Sequence, residues 1–499
     1  MSVAAKAGDT MLDHFSDRSI PMDLLLSDHI PERRAFLKGA GGVALGLFVA
    51  ASLGGCESLL DAIRNRPTRC RLSVGSATLA PHLATYKAGV QAMKGLAAAN
   101  PRSWAAQAGI HGTVAGGFNL CQHGTPHFFS WHRAYLFFFE QIIRNLTGEK
   151  RFALPYWNWN QDPLLHPDFL DTSGPLFHPR NNTSLTGFAP VQAATLDPIL
   201  DDSNFLTFSS TLEGPHGDVH VFIGQDMGGG GSAIDPVFWM HHCMIDYCWN
   251  KWNVELGFDN PNDAGWVNTS WNHFFQGDGN PANMTAGITT LMPLLAYQYE
   301  SSAIGTHAAV AEVRLAQDYA KVRERVEAGA PVQLDIRQRY LVAEGAVTPL
   351  GKPYSSPTIV RASELSSLLT QRDPGNNAFL RVEYARFPEA NDFFVRVFVN
   401  LPSAEANTPT EDPHYAGSFS FFGSPGGVHE QMHATQHLVN VTPVLRRLME
   451  RGELRDGGAI SVQLVAVPAN NIFRKPDLVL ELRKIELLIT PIVVRPTRK

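Results

Sequence analysis

The chain has 499 residues, 44% hydrophobic and 18% charged, which suggests two or three domains and supplies apolar material for a sizeable core. A formal net charge of −6 with histidine neutral makes no electrostatic case for nucleic acid as a partner. Five cysteines (Cys56, Cys70, Cys121, Cys243 and Cys248) include no CxxC pair, so neither a disulfide framework nor a thiolate zinc site is indicated.

Residues 1–56 read as an address label. Arg33-Arg34-Ala35-Phe36-Leu37-Lys38 precedes an apolar, Gly/Ala-rich run from Ala40 to Gly55. That order resembles a twin-arginine signal, which would hand the folded chain to export machinery, for the periplasm or for secretion. The run is short and glycine-rich for a membrane span. Leu53-Gly54-Gly55-Cys56 resembles a lipoprotein cleavage box, so a lipid on Cys56 and attachment to a membrane are expectations.

Residues 70–305 carry helical periodicity. One helix is expected from Leu79 to Leu96, with Tyr86, Val90 and Met93 on one face. Another, from Trp131 to Leu146, is apolar nearly all round and should be a buried central helix. Proline, asparagine and aspartate recur between Pro155 and Ser210, as in a long irregular connection. Helical signal returns from His216 to Phe222 and from Pro236 to Trp252. A polar helix, Ala308 to Val326, reads as a linker within 306–331. Over 332–499 the period changes to two, in Phe379–Tyr384, Phe394–Val399, Ser461–Val467 and Leu478–Leu488, which predicts an antiparallel β-sandwich. The fold class is therefore α+β and multidomain: a mainly helical core followed by a sandwich.

The chemistry is concentrated in two histidine clusters. The first is His111, His123 and His132; the second is His216 and His220, then His241-His242. A spacing of four puts His216 and His220 on one helix face, within reach of one metal. Asp246 follows His242 by one turn and could fix the tautomer of a ligating imidazole. Imidazoles without thiolate or paired carboxylates suit copper, zinc, iron or nickel. A zinc protease would need Glu directly after the first histidine; here it is Gly217.

Two stretches resemble the type 3 dicopper proteins, the family of tyrosinases, catechol oxidases and molluscan-type haemocyanins. They are His123-Gly-Thr-Pro-His-Phe-Phe-Ser-Trp-His132-Arg133-Ala-Tyr135-Leu136 and Asp235-Pro236-Val-Phe238-Trp239-Met-His241-His242-Cys-Met-Ile-Asp246. The resemblance implies a dicopper core, with His111, His123 and His132 on the first copper and His216, His220 and His242 on the second. The family pattern selects His242 over His241 because its ligand stands four residues before the aspartate. His127 matches no family role and is read as a helix-start or lining residue.

The implied activity is oxidation of phenols and o-diphenols to o-quinones, with two copper ions as cofactor, O2 as co-substrate and a small phenol as substrate. Glu213 is a candidate water-holding base. Monophenol-active members often carry Asn where this chain has Gly217, which makes diphenol oxidation the safer expectation. Cys121-Gln122-His123 resembles the arrangement in which fungal members and haemocyanins tie the cysteine to the histidine through a thioether. The loop Gly228–Gly231 holds no ring where plant-type members place a phenylalanine. An open substrate entrance lined by Gly229 and Gly230 is therefore expected.

The region after Val332 more loosely resembles the β-domain that shields the active site in plant polyphenol oxidases. It also holds His429, His433 and His437, spaced by four, which could gather copper on one helical face. Two other readings stay open: oxygen carriage without catalysis, and a mononuclear metal-binding protein. The oligomeric state is not legible.

Overall fold

A computed structural model describes residues 69–300, 336–356, 360–361, 376–422, 436–470 and 472–491. The leader with Cys56, the linker helix, His429 and His433 lie outside them. The helical part is organised by five helices: α1 (Leu79–Lys94), α2 (Trp104–His111), α3 (Phe128–Thr147), α4 (Phe205–Ile223) and α5 (Pro236–Asn250). Local chemistry sets their ends. Ser103 caps α2 by accepting from the Ala106 N–H. Asn204 caps α4 by accepting from the Leu206 and Thr207 N–H groups. Asp235 caps α5, whose first residue is Pro236, a position where the missing N–H costs nothing. Gly148 stops α3 in the left-handed region at φ 77°.

The central helix is α3, as its aromatic sequence predicts. Sixteen of its residues, from Phe128 to Arg144, are buried, and it packs on α1 and α5. Strand β1 (Arg69–Arg71) pairs in parallel with β2 (Tyr297–Tyr299) and closes the two ends of the helical part against each other. Arg71 is fully buried there, between Glu140 of α3 and Asp246 of α5.

The C-terminal part is built on two four-stranded antiparallel sheets, beside a short two-stranded pairing of Val360–Arg361 with Ala459–Ile460. The strands of the two sheets are β3 (Gln338–Pro349), β4 (Tyr354–Ser355), β5 (Asn376–Tyr384), β6 (Phe393–Val399), β7 (Tyr415–Ser420), β8 (Gln436–Asn440), β9 (Val462–Pro468) and β10 (Val479–Pro491). One sheet runs β8-β5-β10-β3 and the other β7-β6-β9-β4. A short helix, α6 (Thr442–Glu450), buries Val444, Leu445 and Leu448.

The two parts meet through the second sheet and the edge strand β8 of the first. On β6, Phe393, Val395 and Val397 enter the sandwich core, whereas Phe394 belongs to the helical core. Successive side chains point to opposite faces, so a strand covered on both sides reads as an almost unbroken apolar run. Ring contacts continue this seam, with Phe188 5.8 Å from Phe394 between centroids. Strands β7 and β8 lie directly on α4.

Candidate metal centre

Four helices and one loop bring the histidines together. His111 is the last residue of α2, His132 sits in the first turns of α3, His216 and His220 share a face of α4, and His241 and His242 lie in α5. His123 comes from the loop before α3. All seven are buried. Burial pushes the His111 imidazole down to about 3 and carries His132, His216, His220 and His242 well below the ordinary histidine range. The rings are therefore neutral and available as donors.

Backbone carbonyls decide which nitrogen faces inward. His111 Nδ1–H donates to the Gly230 carbonyl at 3.3 Å, His132 Nδ1–H to Phe128 at 2.8 Å, and His220 Nδ1–H to Met227 at 2.9 Å. In a neutral ring the proton on Nδ1 leaves a bare lone pair on Nε2, the tautomer that ligates metal. His111 Nε2 lies 3.2 Å from His123 Nε2. His242 Nε2 lies 3.4 Å from His216 Nε2 and 3.3 Å from His220 Nε2. His132 and His242 stack at 4.3 Å and 12°, joining the two clusters.

The ligand atoms of His216, His220, His241 and His242 are mutually within 4.8 Å, as are those of His111, His132 and His242, and those of His111, Cys121 and His123. His132 Nε2 is buried with no hydrogen-bond partner, an arrangement that is costly unless a ligand takes the lone pair. An all-imidazole set of this kind fits copper.

His241 differs from its neighbour. The Trp159 indole N–H donates to its Nδ1 at 3.1 Å, so the proton of the neutral ring sits on Nε2 and blocks that nitrogen as a ligand. His127 stacks on Trp266 at 5.5 Å and 10° as the N-cap of α3, a helix-start role as expected.

Glu213 lines a cavity of about 280 Å³ together with His123, Gly124, His216, Arg381 and Phe422. Its carboxylate accepts from the Gly124 N–H at 2.7 Å. Desolvation outweighs that bond and pushes Glu213 up to about 8.

Three expectations are corrected. Asp246 does not reach a histidine. Its carboxylate is taken by Arg133 at 2.5 Å, Arg71 at 2.8 Å, and the Tyr297 and Tyr299 hydroxyls at 2.6 Å each, while His242 Nδ1 has no partner. Two guanidinium groups out-compete an imidazole for one carboxylate. Gly229 and Gly230 are not among the residues that line the cavity beside the histidines. Gly230 is buried, and a Cβ there would lie 2.2 Å from the Gly117 carbonyl carbon. Close backbone approach is what the glycine permits, and it sets the carbonyl that orients His111. His437 belongs to strand β8, not to a helix. It is stacked on Phe419 at 4.2 Å and pushed down to about 3 by burial.

Two aromatic rings stand over the histidines. Phe422, just after β7, stacks on His220 at 3.9 Å and 23°, and lies 5.3 Å from His123 and 5.4 Å from His216. Phe118 stacks on His123 at 4.7 Å and touches Phe422 at 5.1 Å. Sequence reasoning missed both rings. The signal for Phe422 was the aromatic density of Phe419, Phe421 and Phe422 at the end of a strand.

A family model for the common central domain of tyrosinase matches residues 101–189 and 171–255, the stretch that supplies all seven histidines of the centre. Tyrosinase HcTyr1 of Hahella sp. (strain CCB-MM4) is 30% identical over 281 residues, 44% of this chain and 60% of that protein. The chloroplastic (+)-larreatricin hydroxylase of Larrea tridentata is 26% identical over 42% of this chain and 45% of its own length. The chain thus spans about half of each of these two relatives. Chloroplastic polyphenol oxidase C of Solanum lycopersicum is 23% identical over 77% of this chain and 68% of its own. The fold matches a latent aurone synthase (polyphenol oxidase) at a TM-score of 0.60 and 20% identity, over 86% of this chain and 91% of that one. It matches latent apple tyrosinase at 0.57 and 20%, over 85% and 97%.

Proposed function

We propose, on the premise that this chain belongs to the tyrosinase and polyphenol oxidase family, that it oxidises phenolic substrates with O2 at a pair of copper ions. One observation carries the reading: six buried imidazoles converge, with the Nε2 lone pairs of His111, His132 and His220 bared by backbone carbonyls. His111, His123 and His132 would hold one copper, and His216, His220 and His242 the other. The metals would supply the electron transfer to O2.

The chain's own groups do the rest. Phe419 and Phe421 on the cavity wall supply a face for a phenol ring. Glu213, in the cavity beside His216, is placed to take a phenolic proton. An o-diphenol is the preferred substrate, because Gly217 offers no side chain to position a water between Glu213 and the metal. The test is metal analysis with catechol turnover. Two coppers per chain and quinone formation are expected; one metal per chain, or oxygen binding without turnover, would overturn it.

The C-terminal sandwich, on this reading, shields the centre. Phe422 supports it by occupying the space over His220 where a substrate ring would lie. The Cys121 thiol is buried beside His123 and kept protonated. We propose that a thioether forms there, an S–C bond replacing S–H and C–H while two electrons and two protons pass to O2. Peptide mapping should find Cys121 and His123 joined with loss of two hydrogens. The leader sequence supports export in the folded state.

A further inference from the structure

We infer that Gly214 and Gly217 form the seat on which the shielding strand docks, so that the helix carrying two copper ligands is itself the latch. The inference rests on the shielding role proposed above and names the residues that decide it. Gly214 and Gly217 are three apart on α4 and so share a face. A Cβ on Gly217 would stand 2.8 Å from Ser420 Oγ and 3.3 Å from Phe422 Cβ. A Cβ on Gly214 would stand 3.2 Å from the Ser418 carbonyl oxygen. Between the ligands, Asp218 accepts a hydrogen bond from Ser418 Oγ at 2.6 Å. One face of α4 thus meets Ser418, Ser420 and Phe422 in succession, and the next face carries His216 and His220.

Glycine is a poor choice for the interior of a helix, because it loses more backbone freedom on folding than alanine and supplies no packing. Neither position has a positive φ; Gly214 precedes Pro215, whose ring crowds any Cβ on a helical residue before it, whereas at Gly217 no conformational demand explains the residue. Close approach of strand β7 and the segment after it does. Without a side chain on Gly217, Ser420 and Phe422 come down far enough for the Phe422 ring to reach His220. Local helix stability and docking pull in opposite directions here, which makes the inference separable from misfolding.

The experiment uses the full chain with Gly217→Ala, Gly214→Ala, and Gly217→Ala combined with Ser420→Ala. Hydrogen exchange of the amides in 415–422 is followed in the copper-free protein, and catechol oxidation in the copper-loaded protein. Gly217→Ala should raise exchange in that segment about tenfold or more and raise the catechol rate, while α4 keeps its wild-type protection. Removing the Ser420 hydroxyl in the same chain should restore slow exchange and a low rate. Gly214→Ala, whose contact is looser, should give a smaller effect in the same direction. Wild-type exchange in Gly217→Ala, or failure of Ser420→Ala to reverse the effect, would overturn the seat. If exchange follows the prediction and no variant turns over catechol, the seat stands and the oxidase reading fails. If every variant oxidises catechol at one rate with unchanged exchange, the oxidase reading stands and the seat fails.

Discussion

Phe422 lies flat on His220, with ring centroids 3.9 Å apart and planes 23° apart, although the two residues come from different parts of the molecule. A ring held there both buries apolar surface and removes the access that a phenol needs. Phe422→Ala should therefore raise catechol kcat/KM about tenfold or more, the equivalent of ~1.4 kcal/mol in the barrier. The gain should be larger for bulky diphenols than for catechol. Copper content should stay at the wild-type level. An unchanged kcat/KM for both substrates would show that the ring does not limit access.

The two adjacent histidines of α5 should respond differently to removal. His242→Ala takes away the ring whose Nε2 meets both His216 and His220, and should cost the second copper and all oxidase activity. His241→Ala leaves the Trp159 indole N–H buried without its acceptor, which costs about 1–3 kcal/mol of stability. It should keep two coppers. Metal analysis beside thermal unfolding separates the two outcomes, and loss of metal from His241→Ala with retention in His242→Ala would reverse the assignment.

Much of this was legible in the sequence because it is local. The spacing of His216 and His220 fixes a shared helix face. The aromatic run from Phe128 to Phe139 cannot be solvated, so α3 had to be central. The β-branched and aromatic run Phe393–Val399 is a strand whatever surrounds it. What the sequence could not show depends on partners far along the chain. Asp246 stands one turn from His242, and only the packing of β1 against β2 reveals that Arg71, Tyr297 and Tyr299 claim its carboxylate. Gly230 looks like a flexible loop residue until Gly117, 113 positions earlier, is seen pressed against it. Phe422 reaches the histidines across more than 200 residues, and no periodicity reports such a contact.

Asp246 is accordingly a structural hub. It sits between two buried guanidinium groups, which hold its carboxyl below the usual range despite complete burial. Asp246→Asn should destabilise the fold by about 3–5 kcal/mol, because Arg133 loses its buried counter-charge and Arg71 keeps only Glu140. Copper affinity of the folded fraction should be nearly unchanged. A fall of about 10–100-fold in affinity, the usual cost of removing a group that orients a ligating histidine, would show that Asp246 does act on His242.

Glu213 should set the acidic, rising limb of the activity profile. Burial in the cavity raises its carboxyl to about 8, against the pull of the Gly124 N–H. A base must be deprotonated to accept a proton, so the protonated form that prevails below about 8 is inactive in this role. The kcat/KM for a monophenol, whose proton is the harder to remove, should therefore rise with pH through about 8 and level above it. Catechol oxidation should show the same limb more weakly. Glu213→Gln keeps an acceptor for Gly124 but holds no titratable proton, so its profile should be flat over that interval and its monophenol rate about 10²–10⁴-fold lower, the usual span for a lost acid–base group. A Glu213→Gln profile that keeps the limb near 8 would assign the titration to another group and leave Glu213 as a wall of the cavity.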